Sequence, residues 1–105
     1  MTIPRLSAQE LANARQAATA ARRKRADFKQ QIRSGQLAFT PALEQAGADA
    51  ALSQLRVTDL LKALPRVGER KAANIMESLN IAPNRRIRGL GRLQIEGLKA
   101  EFGER

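Results

Sequence analysis

Two short stretches carry the chemistry that the sequence offers. Leu64-Pro65-Arg66-Val67-Gly68 and Ile87-Arg88-Gly89-Leu90-Gly91 align at an offset of 23 residues. The register continues downstream, with Ala72 on Ile95, Ile75 on Leu98 and Leu79 on Phe102. Each unit reads as a turn with a hydrophobe before a Gly, followed by an amphipathic helix. A missing Cβ lets backbone N–H groups come close to a ligand. The N-terminus of the helix behind them is partly positive. Together the two features make an anion site suited to phosphate. The hydrophobe, Val67 or Leu90, anchors each turn in the core.

The two turns differ. Arg66 stands where the second unit has Gly89, and Glu69 stands where it has Arg92. The second turn is therefore the more open and the more cationic. A cation in the first turn of a helix is unfavourable unless an anion is expected there, so Arg92 fits a phosphate site. Arg70 and Lys71 lie in the same first turn as Glu69 and join the candidate set, as do Pro65 and Arg66. Between the units runs Asn84-Arg85-Arg86-Ile87-Arg88. Arg85, Arg86 and Arg88 have too little apolar spacing around them to be core. They suit phosphate clamping or hydrogen bonding to base edges in a groove.

What is missing narrows the function. The 105 residues contain no Cys and no His, which removes thiolate chemistry, Cys-based zinc sites and the usual near-neutral general base. No metal or cofactor is expected, and a binding protein is favoured over an enzyme. The 19 Lys and Arg outweigh 10 Asp and Glu, leaving a net charge of +9 and a field that attracts polyanions. Bases concentrate in residues 1–34 and 56–105, with a mildly acidic stretch between them. No apolar run is long enough to span a membrane or form a signal-peptide core, which points to a cytoplasmic protein. With no Trp or Tyr there is no stacking platform for single strands, so duplex backbone is the preferred polyanion.

The elements that must position these groups are helical. The chain has 19 Ala and 13 Leu against 2 Val and 6 Ile. Ser7 and Glu10 form a capping-box pattern, with hydroxyl and carboxylate each accepting from an orphan backbone N–H. Neither Pro nor Gly then intervenes before Gly35, so residues 8–34 predict one helix roughly 40 Å long at about 1.5 Å per residue. That exceeds the width of so small a globule, and part of the helix should project. Its middle is lined by Ala and carries Arg22, Arg23, Lys24 and Arg25. Arg22, Arg23 and Arg25 are candidate phosphate contacts.

Thr40-Pro41 reads as an N-cap followed by Pro at the first helical position, with Gly47 as the stop. Asp49 can cap a short turn running through Leu55, and Thr58 opens a helix stopped by Pro65. Residues 69–80 and 92–102 form the two repeat helices. Gly97, inside the last one, costs about 1 kcal/mol relative to Ala and predicts fraying. The expectation is an all-α fold in one DNA-binding domain, residues 1–105. A long basic helix with an N-terminal arm (1–34) precedes a compact bundle of short helices (35–105).

With these residues in hand, LPRVGERKAANIMESLNIA and NRRIRGLGRLQIEGLKAEFG closely resemble the actinobacterial, mycobacterial-type integration host factor family. The segment AARRKRADFK and the chain length fit as well. The resemblance implies a nucleoid-associated protein, a long N-terminal helix and a helix-two-turn-helix module. It implies binding of double-stranded DNA with little sequence preference, DNA shaping, and support for phage integrase complexes by a monomer. By position, the family's DNA-contacting elements fall on Pro65–Gly68, on Arg85, Arg86 and Arg88, and on Gly89–Gly91. This sequence departs from the family's usual pattern at Arg66, where relatives tend to have Gly, and at Glu69, where they tend to have Lys.

Three other readings compete. An RNA-binding protein resembling the small-subunit ribosomal protein with a similar module is the main alternative, although such proteins usually end in a long basic tail. Some DNA glycosylases contain the module, but they add a zinc finger and a catalytic domain. A bare protein-interaction module would bind no nucleic acid.

Overall fold

The structure is a computed structural model that describes residues 7–103. The described residues form five α-helices: α1 (Ala8–Arg33), α2 (Phe39–Gly47), α3 (Val57–Ala63), α4 (Glu69–Ser78) and α5 (Arg92–Phe102). Short 3-10 turns at Leu52–Gln54 and Ile87–Gly89 complete the chain. The all-α expectation holds.

Ser7 opens α1 by accepting from the Glu10 backbone N–H at 3.1 Å. The Glu10 carboxylate, however, accepts from the Ser7 hydroxyl, so only one half of the expected capping box forms. Gly35 ends the helix in the left-handed region at φ 83°, where a side chain would be strained. Every residue from Ala8 to Ala20 is exposed, and burial begins only at Phe28 and Ile32. The N-terminal half of α1 therefore projects, and the longest molecular dimension is 53 Å. Leu11 remains 42% exposed on that projection.

Beneath the base of α1 lies the core, in which Ile32, Leu52, Val57, Leu60, Leu61 and Leu98 are fully buried. Burying each such side chain contributes about 1.5–3 kcal/mol relative to leaving it in water. Phe39 and Phe102 meet with ring centroids 5.3 Å apart and clamp α2 to the end of α5. Helix α2 starts at Phe39, with Ala38 at its N-cap, two residues before the Thr40-Pro41 signal. Helix α3 likewise starts at Val57, earlier than the Thr58 signal. The Thr58 hydroxyl instead donates to the Pro83 carbonyl at 3.2 Å. Asp49 caps as expected, its Oδ1 accepting from Ala51 N–H at 2.8 Å and Leu52 N–H at 3.0 Å.

One backbone connection had no signal in the sequence. Arg56 and Arg86 form an isolated antiparallel bridge, with Val57 N–H donating to Arg85 O and Ile87 N–H to Leu55 O, both at 2.9 Å. It fastens the arginine-rich loop between the repeat units to the start of α3.

Candidate nucleic-acid interface

The 23-residue repeat is realised in the backbone. Val67 N–H donates to Leu64 O at 3.3 Å, and Leu90 N–H donates to Ile87 O at 3.1 Å, the equivalent bond in the second unit. Gly68 and Gly91 are the N-caps of α4 and α5, and both are extended, at φ −91°, ψ −179° and φ −80°, ψ 164°. Each carbonyl accepts the first helical bond at 3.0 Å, from Ala72 and Ile95 respectively. Neither conformation requires Gly.

Space inside the protein does not require it either. A Cβ on Gly68 would meet nothing within 4 Å, and one on Gly91 would meet only Gln94 Oε1 at 3.6 Å. Both glycines are exposed, and no side chain at the N-cap accepts from the first turn of either helix. Each turn thus leaves its first-turn N–H groups without an N-cap side-chain acceptor, at the positive end of a helix. Gln94 steadies the second turn from behind, accepting from Gly91 N–H at 2.9 Å and donating to Asn80 O at 2.9 Å. Val67 and Leu90 are half-buried against the core, as the anchoring argument required.

The two turns differ in a way that the residue types suggested. Arg66 adopts φ 69° behind Pro65, which is the type II turn pattern that ordinarily takes Gly. Gly89, its counterpart, sits in a 3-10 turn and is not left-handed. What Gly89 provides is room: a Cβ there would lie 3.0 Å from Arg85 Cδ. Arg85 folds across it and donates to Gly89 O at 3.1 Å.

The basic side chains divide into two groups. Arg86 donates to Gln54 O at 2.8 Å, so Arg85 and Arg86 both help to shape their loop. Arg88 is exposed and has no hydrogen bond or ion pair among the described residues, and the same is true of Arg66, Arg70 and Lys71. Arg92 reaches Glu96 at 3.4 Å in a fully solvated pair worth little to stability. On α1, Arg22 and Arg23 point into solvent. Arg25 is half-buried and directs Nη1 at Ala51 O, 3.4 Å away. Lys24 pairs with Asp49, and that hydrogen bond, with the Leu52 and Ala51 N–H groups, holds the Asp49 carboxyl below its usual range.

The fold brings the two basic segments together at one place. Arg25 and Arg86 line a single cleft with Arg56, facing Asp59. Arg56 was not among the sequence candidates, because only the Arg56–Arg86 bridge reveals its position. Among the described residues, no group of three or more Asp and Glu could hold a metal ion. No described helix is long and apolar enough to cross a membrane.

Known proteins share this arrangement. Residues 32–102 match the family described as S13-like H2TH domain, the helix-two-turn-helix module. Over 103 residues, covering 98% of both chains, the sequence is 44% identical to Integration host factor of Mycobacterium tuberculosis. The chain belongs to the integration host factor family. A second family member, from Mycolicibacterium smegmatis, is 41% identical over 99% of each chain. A third, from Streptomyces coelicolor, is 38% identical over 98% of this chain and 96% of its own. Among solved structures, "Structure of sIHF bound to an 8bp palindromic DNA" matches with a TM-score of 0.80 and 39% identity. That match covers 84% of this chain and 99% of the other. The resemblance read from residues 64–103, AARRKRADFK and the chain length holds over almost the whole sequence.

Proposed function

We propose that this integration host factor family member is a nucleoid-associated protein that binds duplex DNA through its phosphates, with little sequence preference. Residues 1–105 act as one DNA-binding unit in the cytoplasm, at the nucleoid, and as a monomer. The observation that carries the reading is the paired turn. Two helix N-termini with no side-chain acceptor at the N-cap stand at equivalent positions of a repeat, each behind an exposed Gly that neither φ nor packing demands. Arg66, Arg70, Lys71, Arg88 and Arg92 surround them with charge. A duplex presents successive phosphates to both turns, and Arg22 and Arg23 on the projecting helix extend the basic surface. This equipment binds and shapes DNA rather than catalysing a reaction. Support for phage integrase complexes is the extension that the family name suggests.

A salt titration of duplex binding tests the reading. If about six phosphates are neutralised, log K falls against log salt with a slope near about −5. A slope close to zero would sink the phosphate-cradle mechanism. Structured RNA titrated at the same salt decides against the RNA-binding alternative if it binds more weakly than duplex DNA.

A further inference from the structure

Leu93 is the most exposed large apolar residue described, at 79%, and it stands in the first turn of α5, two residues after Gly91. Burial in this chain does not explain it. The 23-residue register places Leu93 where the first unit has Arg70, so the same exposed position carries a cation at one turn and an apolar group at the other. Gly91, two residues before Leu93 at the N-cap of the same helix, is exposed and bears no side chain. Anything that seats against the second turn meets the Leu93 side chain. We propose that Leu93 is an apolar wedge that enters a DNA groove beside the second turn and couples binding to bending. Apolar side chains at such surfaces lodge between base steps, partly unstack them and kink the duplex. Here the first-turn N–H groups of α5 would hold a phosphate while Leu93 presses on sugar and base edge next to it. The repeat then grips asymmetrically: Arg70 makes a purely electrostatic contact at the first turn, and Leu93 supplies the deformation at the second.

The inference rests on the duplex-DNA reading above, and the test separates the two. The full chain and its Leu93→Ala and Leu93→Asn variants are titrated against a short duplex labelled at both ends for energy transfer. A second duplex carries 2-aminopurine to report unstacking. The expected result is that both variants bind about five-fold to ten-fold more weakly, with the salt slope unchanged. Both should also lose most of the end-to-end shortening and of the 2-aminopurine signal. Their melting temperatures should match the unsubstituted chain, since an exposed side chain is being removed. Equal affinity, bending and unstacking in all three proteins would overturn the wedge. So would a loss confined to self-association, which would make Leu93 a protein contact. If the unsubstituted chain bound no duplex at all, the DNA reading itself would fail first.

Discussion

Leu79 rests on Gly97: a Cβ at Gly97 would lie 2.6 Å from Leu79 Cδ2 and 3.3 Å from Cδ1. The two residues belong to different repeat units, Leu79 closing α4 and Gly97 lying in the middle of α5. Their contact sets how closely the end of one repeat helix approaches the other, and so helps to set the spacing between the two turns. Helix α5 continues without a break to Phe102. The helix-propensity cost of Gly97 is set against the room it makes for Leu79.

A double-mutant cycle checks this contact. Gly97→Ala gains about 1 kcal/mol of helix propensity, while forcing Leu79 aside costs about 1–3 kcal/mol. The single variant should therefore be neutral to mildly destabilised. In a Leu79→Ala background the clash is gone, so Gly97→Ala should stabilise by about 1 kcal/mol, a coupling of about 1–3 kcal/mol between the two sites. Denaturant melts of the four proteins measure the difference. Equal effects in both backgrounds would mean that Leu79 does not press on Gly97.

Arg66 is expected to trade stability for binding. A non-glycine residue in the left-handed region costs about 1–2 kcal/mol. Part of that gain is offset by the greater freedom of Gly in the unfolded chain. Arg66→Gly should thus raise stability by about 1 kcal/mol. The same change removes an exposed cation beside the first turn, so duplex affinity should fall and the salt slope should become shallower by about 1. Thermal melting and a salt titration on one preparation test both halves. A variant that is no more stable would remove the strain argument.

How much of this was legible in the residues depended on the range of the interaction. The paired turns were readable because each needs a hydrophobe and a Gly at fixed spacing, and the second copy repeats both. Asp49 was readable as a cap because the N–H groups that donate to it are two and three residues away. The roles of Arg85 and Arg86 were not. Arg86 donates to a carbonyl 32 residues back in the chain, and a two-residue bridge leaves no periodic pattern. The packing role of Gly97 was not legible either, since propensity is a local quantity and the approach of Leu79 is not.

The arginine-rich loop should accordingly give two kinds of phenotype. Arg88→Ala removes an exposed guanidinium with no partner among the described residues. It should weaken binding across sequences and lower the magnitude of the salt slope by about 1, with the melting temperature unchanged. Arg86→Ala also breaks the bond to Gln54 O at 2.8 Å. A hydrogen bond from a charged group contributes about 1.5–3 kcal/mol at most, and less where exposed, so a modest drop in melting temperature should accompany the loss of affinity. Replacing all three arginines together would confuse these effects. If Arg86→Ala melted like Arg88→Ala, the tether to Gln54 would carry no weight.

The most discriminating substitutions are Gly68→Glu and Gly91→Glu. Each puts an acid where a phosphate oxygen should sit, and each leaves every Lys and Arg in place. Both sites have extended backbone angles, and a Cβ would meet nothing at Gly68 and only an ordinary contact with Gln94 Oε1 at Gly91, so both variants should fold and keep their helicity. Affinity for duplex DNA should fall at least about ten-fold for each, which is about 1.4 kcal/mol. Gly91→Glu should be the worse, because the second turn has Arg92 in place of Glu69 and a glycine in place of Arg66. Gly97→Glu would be a poor control, since its side chain would be driven into Leu79. Gln45→Glu, on the exposed side of α2, changes the charge equally and touches neither turn. Against a net charge of +9, that change alone should weaken binding only slightly. If the Gly68, Gly91 and Gln45 variants all bound alike, bulk charge would account for DNA affinity and the paired turns would not.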